Sequence, residues 1–222
     1  MLHGALGSAA QFEQVIPLLA DRYDIYWIDF EGHGPRPAAG EFRVEHFAEN
    51  VLQFLDSYHM PKIDVFGYSL GGYVAMWLAH THPEHIDRIL TLNTKYFWTP
   101  EVAVSENAKL DADSIEAKVP AFARTLAARH TGIGWREVLA RTRAMLTVMG
   151  DHNLLTEDVL RTITNQVCIA VGDQDSTDSV EESERVCAAL PNADLVVLPD
   201  APHALEKIGA DRVAGLIGEF FG

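Results

Sequence analysis

Gly67-Tyr68-Ser69-Leu70-Gly71-Gly72 sets a serine between glycines at fixed spacing. A serine hydroxyl is a weak nucleophile until a neighbouring base takes its proton, and it must stand clear of its own backbone to reach a carbonyl carbon. The apolar run Ile63 to Phe66 precedes this hexapeptide, and the helical pattern Val74, Ala75, Leu78, Ala79 follows it. A strand that turns sharply into a helix strains the serine backbone and leaves its side chain exposed at a helix N-terminus. There the amide of Leu70 can donate to a developing oxyanion. Without that context the same residues would read as a Gly-rich turn with Ser69 as an ordinary helix cap.

Three further segments offer the remaining parts. Leu2-His3-Gly4-Ala5-Leu6-Gly7-Ser8 is an early glycine-rich loop, and the amide of Ala5 is its candidate for a second oxyanion donor. Gly172-Asp173-Gln174-Asp175 follows the apolar run Val167 to Val171, and Asp200-Ala201-Pro202-His203 follows Leu195 to Leu198. Taken singly, an aspartate there is more often a loop cap and a histidine more often a surface residue. In an open α/β sheet, however, the binding crevice lies at the carboxyl ends of the strands, so Ser69, an acid of the 173–175 loop and His203 reach one edge. His203 is then the base for Ser69.

The elements that would hold these residues alternate. Strand-length apolar runs recur at Ile25 to Ile28, Ile63 to Phe66, Ile89 to Leu92, Val167 to Val171 and Leu195 to Leu198. Helical faces lie between them: Val44, Phe47, Ala48, Val51, Leu52 and Leu55 follow the i, i+3, i+4, i+7 spacing, as do Val213, Leu216, Ile217 and Phe220. That rhythm predicts an α/β chain with a mostly parallel sheet covered by helices on both sides. Thr94 to Thr164 breaks it, with no strand-like run but with helical spacing at Val138, Leu139, Thr142, Met145, Leu146 and Met149. It reads as a helical insertion. At 222 residues the expectation is one domain, 1–222, with 94–164 inserted.

With these residues in place, the chain resembles the α/β-hydrolase family, in its lidded subgroup with a His-Gly oxyanion loop. Asp29-Phe30-Glu31-Gly32-His33-Gly34 resembles the family's Asp-x-x-Gly-His-Gly turn after the fourth strand, and 94–164 sits where the family inserts its lid. The resemblance implies strand order 1-2-4-3-5-6-7-8, the chain order Ser, Asp, His for the catalytic residues, and a structural role for His33. It selects Asp175 over Asp173 or Asp178, because the family's acid stands three residues past the glycine closing the seventh strand, here Gly172. Only Met1 and Leu2 precede His-Gly, so the N-terminal side of the sheet is expected to be truncated, its third strand a stub. An unpaired sheet edge is a template for association, which makes a second copy of the chain a candidate partner.

The implied activity is hydrolysis of a small, mostly apolar carboxylic ester through an acyl-enzyme, with no metal or organic cofactor. Tyr68, Phe97, Trp98, Met145 and Met149, with Leu146 beside them, are the candidate substrate lining. Tyr96-Phe97-Trp98 could equally pack the insertion onto the core. The alternatives are a lyase using the same three residues, as in the menaquinone-pathway synthases that Gly-Tyr-Ser-Leu-Gly-Gly also resembles, or a ligand receptor on the same fold. The lyase carries an arginine after the glycine pair, where this chain has Tyr73.

Composition removes several other classes. The net charge is −15, from 32 acidic and 17 basic residues, which repels phosphate backbones and anionic lipid heads. Nucleic acid and membrane are therefore not expected partners, and a small molecule is. No apolar stretch approaches the roughly 18 residues that span a bilayer, and the first residues lack signal-peptide character, so cytoplasmic residence is expected. Cys168 and Cys187 are expected as free thiols. His80, His82 and His85 fit the end of a helix better than a metal site. Glu181, Glu182 and Glu184 fit a solvated face matched to a helix N-terminus. Arg124, Arg141 or Arg143 would favour an anionic substrate if they pointed into the cavity.

Overall fold

Apolar runs without polar alternation suit a parallel sheet covered on both faces, and four such runs form one. The computed structural model describes residues 1–222 and contains β1 (Ile63–Tyr68), β2 (Ile86–Leu92), β3 (Gln166–Gln174) and β4 (Ala193–Pro202). They are parallel in the order β1-β2-β3-β4, with Tyr68 beside Leu92, Leu92 beside Ala170 and Val171 beside Val197. The carboxyl ends of all four strands thus reach one edge.

Helices α1 (Val44–Ser57) and α2 (Leu70–Thr81) lie in sequence around β1. Between β2 and β3 fall α3 (Pro100–Ala108), α4 (Ala112–Lys118), α5 (Pro120–Arg129), α6 (Trp135–Asp151) and α7 (Glu157–Leu160). Then come α8 (Val180–Ala189), α9 (Leu205–Ile208) and α10 (Ala210–Phe221). Successive strand residues point to opposite faces, so the strands feed two cores. Val65, Ile89 and Ile169 join α1, α2 and α6 in one, while Phe66, Leu90 and Cys168 join α10 and Phe12 in the other. Full burial of each such side chain contributes about 1.5–3 kcal/mol. Both cysteines are free. No helix is long and apolar enough to cross a membrane.

One expectation changes at the N-terminal side. Ile25 to Ile28 does not form a strand: only Ile28 makes a bridge, to Leu2. Leu2 bridges Gly67 on its other side, its amide donating to Phe66 and its carbonyl accepting from the Tyr68 amide. The stub is a single residue long, so the segment beside it has one partner and its other peptide groups lie outside any ladder. The resulting order, Ile28, Leu2, β1, β2, β3, β4, agrees with the family's 4-3-5-6-7-8.

Candidate active site

Ser69 sits where β1 turns into α2, with φ +52° and ψ −119°, a left-handed conformation for a residue with a side chain. The neighbouring glycines permit it. A Cβ on Gly67 would lie 2.5 Å from the Gly71 carbonyl, and one on Gly71 would lie 2.1 Å from the Leu2 carbonyl. The Ser69 amide donates to Leu92 O at 2.9 Å, and its carbonyl accepts from Thr94 Oγ1 at 3.0 Å. Backbone on both sides thus aims the hydroxyl outward.

That hydroxyl lies 3.3 Å from His203 Nε2, and His203 Nδ1 lies 2.7 Å from Asp175 Oδ2. The Asp175 side chain is wholly buried, and its other oxygen accepts from the amides of Thr177 at 2.7 Å and Asp178 at 3.0 Å. Three of the carboxylate's four lone-pair directions are therefore engaged, by donors that fix its plane. With Nδ1–H given to the carboxylate, Nε2 is left with the lone pair facing Ser69. Asp173 is exposed, and Asp178 turns away to accept from Ser183 Oγ at 2.9 Å. Of the three acids, Asp175 is the one that meets His203.

The loop carrying His203 is held from below by two groups that spacing did not reveal. Tyr68 Oη donates to His203 O at 2.9 Å, so Tyr68 supports the histidine as well as bordering the cavity. Asn93, fully buried with φ +52°, donates from Nδ2 to the carbonyls of Pro202 and His203, while its Oδ1 accepts from the Gly172 amide. One side chain thereby ties the end of β3, next to Asp175, to the loop of His203. Its position just past β2, at the same edge as Ser69 and Asp175, was the only sequence signal for it.

Gly4 to Gly7 form a tight turn against Ser69, the Gly7 amide donating to Gly4 O at 2.9 Å and Gly4 abutting Tyr68 and Ser69. Neither the Ala5 amide nor the Leu70 amide donates to a protein acceptor. Three buried histidines grip the turn's carbonyls in succession. His3 Nδ1–H donates to Gly4 O at 2.8 Å while its Nε2 accepts from Phe30 N, His33 Nε2 donates to Ala5 O at 2.8 Å, and His130 Nε2 donates to Leu6 O at 3.1 Å. A planar trans peptide points its N–H opposite its C=O, so His3 on Gly4 O aims the Ala5 amide the other way. Burial holds all three rings below the ordinary histidine value, His130 at about 4. Both ring nitrogens of His33 face backbone carbonyls, those of Glu31 and Ala5.

Ser69 and His203 open on a cavity of about 370 Å³. Tyr68, Trp98, Leu146 and Met149 line it, joined by Leu110 and Phe122, which the sequence did not single out. Two expected lining residues do not. Phe97 lies under the Arg185 guanidinium, 4.3 Å from its ring centre, because Glu182 holds the Phe97 amide and turns that stretch toward α8. Met145 is buried in the core, since the cavity takes the Thr142-Leu146-Met149 stripe of α6 and Met145 lies beside it.

Glu182 itself corrects the expectation of a solvated face. It accepts from the amides of Tyr96 and Phe97 and from Lys95 Nζ, with a side chain only 14% exposed. Arg124 and Arg143 are exposed, and Arg141 pairs with Glu137, so none enters the cavity. The cations that do line it are each paired, Lys95 with Glu182, Lys109 with Glu106 and Arg129 with Glu206. His80 and His82 bond threonine hydroxyls and His85 a carbonyl, at the end of α2 and the turn after it. No group of three or more His, Cys, Asp or Glu stands where it could hold a metal ion.

A parallel sheet with a serine elbow after one strand, and an acid and a histidine after two later ones, defines an α/β fold built around a nucleophile turn. Residues 1–162 match the alpha/beta hydrolase fold family, and the chain belongs to it. A pimeloyl-acyl-carrier-protein methyl ester esterase of Chromobacterium violaceum is 27% identical over 92% of this chain and 86% of that protein. One of Aeromonas hydrophila is 35% identical over 41% of this chain, a match that spans 35% of the relative's length. Among solved structures, an alpha/beta hydrolase enzyme from a Medee basin deep-sea metagenome library superposes with a TM-score of 0.82 at 16% identity, covering all of this chain and 87% of that one.

Proposed function

We propose that the chain is a serine hydrolase that cleaves a small, mostly apolar carboxylic ester through an acyl-enzyme, with the insertion as a lid over the site. The observation that carries this reading is the unbroken line from Ser69 Oγ to His203 to Asp175, beside two unengaged amides. The names of the relatives support ester cleavage as the class of reaction.

In this mechanism His203 Nε2 takes the Ser69 proton as Oγ bonds to the substrate carbonyl carbon, and the carbonyl electrons move onto the oxygen. The amides of Ala5 and Leu70, with the positive end of α2, stabilise that oxyanion. Asp175 fixes the tautomer and stabilises the imidazolium. Collapse expels the alcohol, which takes the proton from Nε2; water then repeats the sequence and frees the acid. A largely apolar cavity whose cations are all neutralised suits a neutral substrate. Tyr73 speaks against the lyase alternative, because its hydroxyl is already bonded to Asn153 and to the Leu155 amide.

Labelling with a fluorophosphonate, followed by a panel of chromogenic esters of increasing chain length, tests the reading. Ser69→Ala is expected to lose labelling and to lower turnover by on the order of 10⁴ to 10⁶ while remaining folded. Ester cleavage undiminished in the purified variant would sink the mechanism.

A further inference from the structure

The helical insertion reaches under the oxyanion loop as well as over the cavity. Leu6 O accepts from Arg129 Nη1 at 2.8 Å and from His130 Nε2 at 3.1 Å, bonds that join residues 123 and 124 positions apart. The tautomer of His130 is set by its other nitrogen, which accepts from the Gly34 amide at 3.2 Å. Gly132 N donates to Gly34 O at 3.0 Å, and a Cβ there would lie 2.6 Å from the Arg36 carbonyl, so this stretch is seated tightly on the Gly32-His33-Gly34 turn. Arg129 also donates from Nη2 to Glu206 Oε1 at 3.1 Å, three residues past His203, and Gln11 Nε2 meets the same oxygen at 3.3 Å. His130 is fully buried, and the Arg129 side chain is 15% exposed.

Resting on the hydrolase reading above, we infer that Arg129 and His130 are positioning residues that hold the oxyanion loop in register with the nucleophile and with the loop of His203. The geometry gives the reason. His3 fixes the first peptide plane of the turn and His33 the second, while the carbonyl of the third, Leu6–Gly7, is held only from the insertion. Releasing that plane frees the Gly7 amide that closes the turn on Gly4 O, and Gly4 O is the group whose direction aims the Ala5 amide. The Arg129 fork meanwhile keeps this loop at a fixed distance from the segment after His203, so the oxyanion donors and the base move together or not at all. Neither residue touches the reacting atoms.

The test compares an oxo ester with its thiono ester in wild type, His130→Phe, Arg129→Met and His130→Gln, with melting temperature as the check on folding. A thiocarbonyl sulfur is a poorer acceptor than oxygen and leans less on the two amides. His130→Phe and Arg129→Met are expected to lower kcat for the oxo ester roughly 10- to 100-fold, the scale of a misplaced oxyanion donor. KM should stay within about twofold and the oxo-to-thiono ratio should shrink, because this is lost transition-state stabilisation. His130→Gln, whose amide can still donate to Leu6 O, is expected to retain most of the ratio. An equal loss on both esters, or none in a folded variant, overturns the inference. If His130→Phe does not fold, Arg129→Lys decides by the same ratio, since an ammonium keeps the charge but lacks the fork. Hydrogen exchange at Gly7, which should quicken in the variants, is independent of the activity assays: unchanged protection overturns the inference. A wild type that cleaves neither ester would instead count against the hydrolase reading.

Discussion

An imidazole that donates from one nitrogen and accepts at the other has no site for a second proton, and His3 and His130 are both in that state. Burial is the largest reason that His130 is held at about 4 from its ordinary 6.5, the neighbouring His33 and Arg129 adding to it; His3 and Asp29 stand around His33 in turn. The unfolded chain takes up protons on these rings from about pH 6.5 downward while the folded chain refuses them, so stability is full above 6.5 and drains as pH falls toward 4. Between pH 7 and 4.5 the melting temperature of His130→Gln is therefore expected to fall less than that of wild type; parallel slopes would contradict it. Asp178 works in the opposite sense. Burial, then the charges of Glu182 and Asp175, push its carboxyl from 3.8 up to about 8, and one of its oxygens has no partner. Folded protein keeps that proton where unfolded chain has lost it, so stability declines as pH rises from 3.8 to 8. Asp178→Asn should be more stable than wild type at pH 8 and less distinguishable at pH 5 in urea denaturation; a gap independent of pH would refute this. Ser69 and His203 were legible because an elbow and a strand-end histidine have a sequence form. Asp175 needed the family's spacing. Asn93, Arg129 and His130 were not legible, because they bind backbone carbonyls, and a carbonyl leaves no residue type to look for.

Among the elements, β1 to β4 could be read because each apolar run has a full-length parallel neighbour, and their ends were only underestimated, β2 beginning at Ile86 rather than Ile89. Ile25 to Ile28 has the same composition and fails as a strand, since pairing depends on what lies alongside and only Leu2 does. The elbow shows how closely that stub is used. Gly71 passes the Leu2 carbonyl with no room for a methyl group. Gly71→Ala should therefore force apart the start of α2 and the Leu2 bridge, costing about 1–3 kcal/mol as overpacked sites do. Chemical denaturation measures that loss, and a variant as stable as wild type would show that Leu2 is free to move. The aromatic stretch after β2, whose composition suits lining and packing alike, divides: Trp98 faces the cavity and Phe97 faces Arg185. Glu182, on another element, makes the choice by taking the Tyr96 and Phe97 amides together.

At the scale of the whole molecule, a charge of −15 surrounds a cavity whose own cations are neutralised one by one. Long-range and local electrostatics thus agree, and a neutral ester should be preferred over a carboxylate-bearing analogue of equal length. The ratio of kcat/KM for the two measures it; a tenfold preference for the anion, about 1.4 kcal/mol, would revive the lyase alternative. The pair of hydrogen bonds onto Leu6 O has a different kind of consequence, for inheritance. Residues 3–7 and 129–132 meet in space though more than 120 positions separate them in the chain. A recombinant that accepted a foreign helical insertion while keeping its own amino-terminal loop would separate donor from acceptor. Segments 3–7 and 129–132 are therefore expected to travel as one heritable unit, so that functional chimeras keep both from the same parent.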